Sequence, residues 1–322
     1  MNRLVLLASL ALIFSCDKGE MPIDPHSSGD VETSMLEVGS NYGNQLFYNL
    51  ETNSVISSNM KLEWDLGFLT SEDEWHVLLN SARGGSVWRI NEDEDLDFEG
   101  IPKLEDAVWQ YDSPDGALDS TAIDDYRLNN EFFVIDRGYS PNGDHTGYMK
   151  LKIDSVNSSG YFIRTADLEH DDEQSTFIEK DINLNQVCYS FDVNSTVEIE
   201  PISSNWDLLF TQYTNIFYDP FTPYLVVGVL SNTQHTLVSV DSEKSFDEIT
   251  YDDAISYSYS SKLDAIGFDW KYYDFDAGAY LVNPNINYII KDLNEQYFKL
   301  HFIDFYNEMG EKGFPSFEVQ ML

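Results

Sequence analysis

One five-residue word occurs twice in this chain: Trp64-Asp65-Leu66-Gly67-Phe68 and, 142 residues later, Trp206-Asp207-Leu208-Leu209-Phe210. It is no nucleotide, metal or nucleophile motif, so architecture is the first thing it implies. The words around it repeat in the same order. NQLFYNLETNSVIS begins at Asn44, 20 residues before the first tryptophan; NQVCYSFDVNSTVEIE begins at Asn185, 21 before the second. Tyr48 aligns with Tyr189, and Leu79-Asn80-Ser81 with Leu230-Ser231-Asn232, the second copy carrying an insertion around TNIFYDPFTPY. FFVID (132–136) and YMKLKIDS (148–155) correspond to YIIKD (288–292) and YFKLHFID (297–304). SGYFIRTADL (159–168) and PSFEVQML (315–322) close the two stretches. Four ordered matches in one register predict an internal repeat.

The local pattern of each copy is β. Apolar and polar residues alternate in YMKLKID, with Tyr, Lys, Lys and Asp facing away from Met, Leu and Ile. The 20 Tyr, 20 Phe and 6 Trp favour strands. NSSG (157–160) and NEMGEKG (307–313) supply hairpin turns. The fold class expected is therefore all-β, built from two tandem antiparallel units. In each, Trp64 and Phe68, or Trp206 and Phe210, anchor a core while Asp65 or Asp207 bonds a neighbouring backbone N–H.

The N-terminus reads as an export signal over residues 1–15. Arg3 precedes an apolar run from Leu4 to Phe14, about 16 Å as a helix and too short for a hydrocarbon layer of roughly 30 Å. Ile13-Phe14-Ser15-Cys16 is similar to a bacterial lipobox, which makes Cys16 the expected lipid attachment and the membrane a partner through its acyl chains. Residues 16–37, polar and rich in Pro and Gly, are expected to be a flexible tether. The first β unit then covers 38–175 and the second 176–322. Cys188 is the other cysteine, so with Cys16 acylated no internal disulfide forms, and Cys188 is expected to be a small buried filler.

With 57 acidic against 18 basic residues, the formal charge of −39 repels nucleic acid and anionic lipid surfaces. NEDEDLDFEG (91–100) alternates aspartates as a calcium loop does, but lacks the Gly and Glu such a loop needs, and reads as a solvated acidic loop. No nucleophile elbow, HExxH, Walker loop or Cys/His dyad is present, so neither catalytic residues nor a metal site are assigned and an enzyme is not expected.

FYNLETNSVIS, EWDLGF and LLNSARGG, followed near the end by YIIKDLNEQYFKLHFIDFYNEMGEKGFPSFEV, resemble the HmuY-like family of surface lipoproteins. YSFDVNSTV and NWDLLF repeat the opening. The resemblance spans nearly all of 38–322 and implies a lipid-anchored protein of the cell envelope, at the outer membrane, that binds a ligand. Haem or a related tetrapyrrole, held by histidine or methionine side chains on loops, is the ligand it implies first. Of the six histidines none falls on a family ligand position; His145 and His235 sit in turn-like surroundings, and His76 follows the first WDL strand. Met149 and Met309 are weaker candidates. The alternative is a structural or adhesive module whose aromatic loops bind a glycan or an envelope protein.

Overall fold

The computed structural model describes residues 28–93 and 95–322; the export segment, Cys16 and the start of the tether lie outside them. The early strands are Glu32–Met35 (β1), Asn44–Asn49 (β2), Ser54–Met60 (β3), Leu66–Leu69 (β4), Val77–Leu79 (β5) and Ser86–Asn91 (β6). A long loop leads to Glu131–Asp136 (β7), Tyr148–Asn157 (β8), Gly160–Ala166 (β9) and Gln174–Glu179 (β10). Next come Gln186–Ser190 (β11), Ser195–Val197 (β12), Leu208–Tyr218 (β13), Phe221–Ser231 (β14) and Leu237–Asp241 (β15). After a one-turn helix at Tyr251–Ala254 (α1), the chain ends with Lys271–Asp274 (β16), Ala279–Val282 (β17), Asn287–Lys291 (β18), Tyr297–Tyr306 (β19) and Lys312–Met321 (β20). The all-β expectation holds. Among the described residues no helix is long and apolar enough to cross a membrane.

The strands form sheets ordered β10-β9-β8-β7-β6, β1-β20-β19-β18-β15, β12-β11-β4-β5 and β14-β13-β2-β3, with β16-β17 as a separate ribbon. Two of these sheets mix the halves. The early hairpin β2-β3 pairs with β13, the later WDL strand, through Tyr48 opposite Leu208 and Leu46 opposite Phe210. The later hairpin β11-β12 pairs with β4, the early WDL strand, through Tyr189 opposite Leu66. Each main core is consequently closed by a hairpin from the other half. Leu46, Tyr48 and Leu50 pack with Phe210, Phe302 and Phe317; Tyr189 and Phe191 pack with Phe68, Tyr161 and Ile163. Burying side chains of this size contributes roughly 1.5–3 kcal/mol each.

The hydrogen bonds around the crossing are matched. Asp65 N donates to Tyr189 O, and Asp207 N to Tyr48 O, both at 2.8 Å. Asn80 Nδ2 donates to the carbonyls of Lys61 and Trp64, and Asn232 Nδ2 to those of Ser203 and Trp206. Between the two sheets Trp64, Trp206, Phe47, Cys188 and Ile199 share one small cluster, with Phe47 edge-on to Trp206 at 5.0 Å. Burial pushes the Cys188 thiol well up, which suits its place as filler.

Four details differ from the sequence reading. The tether expected over 16–37 stops earlier, because β1 pairs with β20 from Glu32–Val319 to Met35–Ser316; an edge strand with mostly exposed side chains carries no apolar signal. The boundary expected between 175 and 176 falls inside β10, which pairs with β9, and the exchanged hairpins leave neither half with a complete set of sheets. The repeat register moves by one residue: Leu66 faces Leu79 while Leu208 faces Ser231, so Asn80 corresponds to Asn232. Finally, the outer face of β8 is not solvated at Lys150. This side chain is buried and its Nζ donates to Phe98 O and Gly100 O, as Lys299 Nζ in β19 donates to Phe246 O and Ile249 O. Lysine stems bury well when the ammonium finds carbonyls.

Candidate functional site

The six repeat anchors are buried and support the crossing. Asp65 accepts from Phe191 N at 2.9 Å and lies 2.6 Å from Arg83 Nη1 and 2.9 Å from Arg137 Nε. Asp207 accepts from Leu50 N at 2.8 Å, and among the described residues it makes no ion pair. Burial pushes its carboxyl up to about 6, with Asp292 and Glu51 adding to the shift against the Leu50 bond. The backbone N–H that each aspartate binds belongs to the exchanged hairpin, so these residues fasten one half to the other.

The three candidate histidines lie apart, and no hydrogen bond or ring contact joins any two of them. His76 Nδ1 is 2.6 Å from Glu74, and its ring stacks on Trp75 at 3.8 Å. His235 Nε2 meets Ser203 Oγ at 3.2 Å, its Nδ1 is buried without a partner, and burial lowers its pKa.

His145 is different. It is exposed on the connection from β7 to β8, with Nε2 2.8 Å from Asp136 Oδ1 and Nδ1 accepting a long 3.3 Å bond from Gly147 N. Tyr139 and Tyr148 flank the ring at 5.3 and 4.7 Å, and Trp109 stacks on Tyr148 at 5.8 Å. An imidazole oriented by a carboxylate and bordered by aromatic faces is a donor arrangement that fits one axial position of a haem. Met149 is turned toward the core beside Ile153 and Leu151, and Met309 is exposed at the β19-β20 turn.

Cavities do not coincide with these histidines. The largest considered, 360 Å³, lies along β8 between Arg127, Asn130, Glu131, Lys152 and Asp154. A second of 200 Å³ lies beside β1 and β20, and a third of 60 Å³ beneath Leu79, Asp112 and Tyr213. None of them is lined by histidine. Among the described residues no cluster of His, Cys, Asp and Glu is arranged to hold a metal ion.

Sequence reasoning passed over the aromatic shelf of Trp109, Tyr139 and Tyr148 and over Tyr42. Tyr42 is a bulky residue in the left-handed region, at φ 58°, with a buried phenol oxygen that has no partner. The heavy tyrosine content was the available signal, but its distribution over three separate loops gave no motif.

Fold and site together define an all-β protein with its binding chemistry on loops. The HmuY protein family matches residues 41–319, and the chain belongs to that family. Among solved structures, apo PinO from Porphyromonas gingivitis is similar at 8% identity over 91% of this chain and 98% of that one, with a TM-score of 0.33. The apo HmuY analog of Tannerella forsythia is similar at 10% identity over 93% and 98%, with a TM-score of 0.22. No curated protein matches the chain.

Proposed function

We propose that this is a ligand-capture protein of the cell envelope, lipid-anchored at Cys16 in the outer membrane, with haem or a related tetrapyrrole as its ligand. The observation that carries the reading is the exposed His145 imidazole on its aromatic shelf, within a chain of the HmuY family. A bound haem would supply the metal coordination. His145 offers a nitrogen, Asp136 sets its tautomer, and Tyr139, Tyr148 and Trp109 offer flat apolar cover. Arg83 and Arg137 are committed to Asp65, so they are not free to meet propionates.

The test is an absorption titration of the purified 28–322 chain with haem. A Soret change that saturates, is lost in His145→Ala and is kept in His235→Ala supports the reading; a flat titration removes it. Asp136→Asn is expected to weaken binding about 10- to 100-fold, as other second-shell partners do.

The same proposal takes the two halves as copies of one unit. Its support is the matched pair of aspartate, asparagine and lysine contacts described above, each copy having exchanged its opening hairpin with the other.

A further inference from the structure

The halves differ most at one hairpin. From tryptophan to the stitching asparagine the chain takes 16 residues in the first half and 26 in the second. The extra length becomes the outer rungs of β13 and β14, eleven-residue strands paired without a break from Leu208–Ser231 to Tyr218–Phe221. The corresponding β4 and β5 have four and three residues.

The finger so formed is aromatic and open to solvent. Tyr218, Tyr224 and Phe221 are 72%, 61% and 58% exposed. Leaving rings this large in water forgoes their burial, and a contiguous group of them marks a contact surface. The rings are in loose contact: Tyr218 with Phe221 at 6.4 Å, and Phe217 with Tyr224 at 6.5 Å. At the base of the finger Tyr42 stacks on Phe305 at 6.2 Å, and Lys312 Nζ lies 4.9 Å from its ring centre. Burial raises the Tyr42 phenol pKa, and neighbouring Tyr280, Tyr306 and Tyr224 raise it further, so phenols from β14, β17 and β19 converge there.

Three observations narrow the partner. Over residues 212–224 the single charged side chain is Asp219, in a protein of −39, so the surface offers nothing to an ionic ligand while the body repels anions. The edge strand β14 contains Pro223 and follows Pro220, neither with an N–H to donate, which disfavours pairing with a second copy or an incoming strand. The buried, unpartnered Tyr42 oxygen calls for a hydroxyl, which a lipid tail or an aliphatic protein face does not supply. A neutral sugar ring meets all three conditions: C–H faces for the aromatic planes, hydroxyls for the phenols, and no charge.

We infer that the finger at residues 214–224, together with the Tyr42 shelf at its base, is a docking surface for a neutral polysaccharide. This stands apart from the haem reading, because Tyr218 and Tyr224 make no printed contact with His145 or its shelf. The test is affinity electrophoresis of the 28–322 chain in gels containing dextran, yeast mannan or xyloglucan, with alginate as the acidic control. At least one neutral polymer is expected to retard the protein and alginate is not. The double variant Tyr218→Ser/Tyr224→Ser, changed only at exposed positions, should keep its melting temperature and lose retardation about tenfold or more. Equal retardation of the variant, no retardation by any neutral polymer, or co-sedimentation with phosphatidylcholine vesicles in its place would overturn the inference.

Discussion

Asp65 and Asp207 hold equivalent backbone groups, yet only Asp65 has arginines. Removing its charge strands Arg83 and Arg137 in the interior, so Asp65→Asn is expected to cost about 3–5 kcal/mol in urea unfolding. Asp207→Asn keeps an oxygen for Leu50 N and discards an unpaired buried charge; its cost should stay within about 1 kcal/mol. Burial also pushes Asp112 up to about 6 and Glu200 up to about 7. With Asp207, these groups are protonated in the folded chain at pH values where the unfolded chain has released the proton. Stability therefore falls as pH rises from about 4 to about 7. Lys271 acts in the opposite sense. It donates to Val227 O beside Trp270 and Phe305, and burial lowers its pKa to about 7, so stability is regained from about pH 7 toward 10. Thermal melts should show a higher midpoint near pH 5 than near pH 7, with part of the slope gone in Glu200→Gln; a profile rising over that interval would contradict the assignment.

At the scale of elements, the stitches decide. Asn80 and Asn232 each tie the turn after a return strand to the carbonyl of a WDL tryptophan and accept a backbone N–H, from Ala82 or Gln234. Alanine at either position leaves those groups unsatisfied, and an equal loss of about 1–3 kcal/mol is expected at both, read by chemical denaturation. The β7-β8 connection is pinned at Gly138, at φ 70°, where a Cβ would lie 2.1 Å from Arg83 O. Gly138→Ala must therefore displace backbone and should cost about 1–3 kcal/mol, whereas at Gly143 a Cβ meets nothing within 4 Å. Much of this level was readable: alternation placed β8, β9, β19 and β20, and the WDL words placed β4 and the start of β13. The repeat register slipped because Leu79 and Leu230 look alike, while hydrogen bonding selects the asparagines.

Across the whole molecule, the exchange of hairpins was not legible. NQLFYNL and NQVCYSF offer nearly the same edge, so sequence cannot say which WDL strand each will choose. The candidate site was illegible for a related reason. The partners of His145, Asp136 and two tyrosines, become neighbours only when the β7-β8 loop folds back, and Trp109 arrives from a separate loop. The exchange does carry a measurable consequence. Fragments 28–179 and 180–322, each lacking the hairpin that closes its core, should be soluble and cooperative only when produced together. A folded, independently melting 28–179 would show that the crossing is dispensable.

The pairing of β1 with β20 joins the two extremities of the described chain. Tension entering at residue 28 meets this ladder first, at Gly29–Met321 and then Glu32–Val319, and loads it from one end like a zip fastener. Its rungs part singly and at low force, long before the exchanged sheets are strained. The body thus has a yielding leader that can lengthen under drag and close again while the rest keeps its shape.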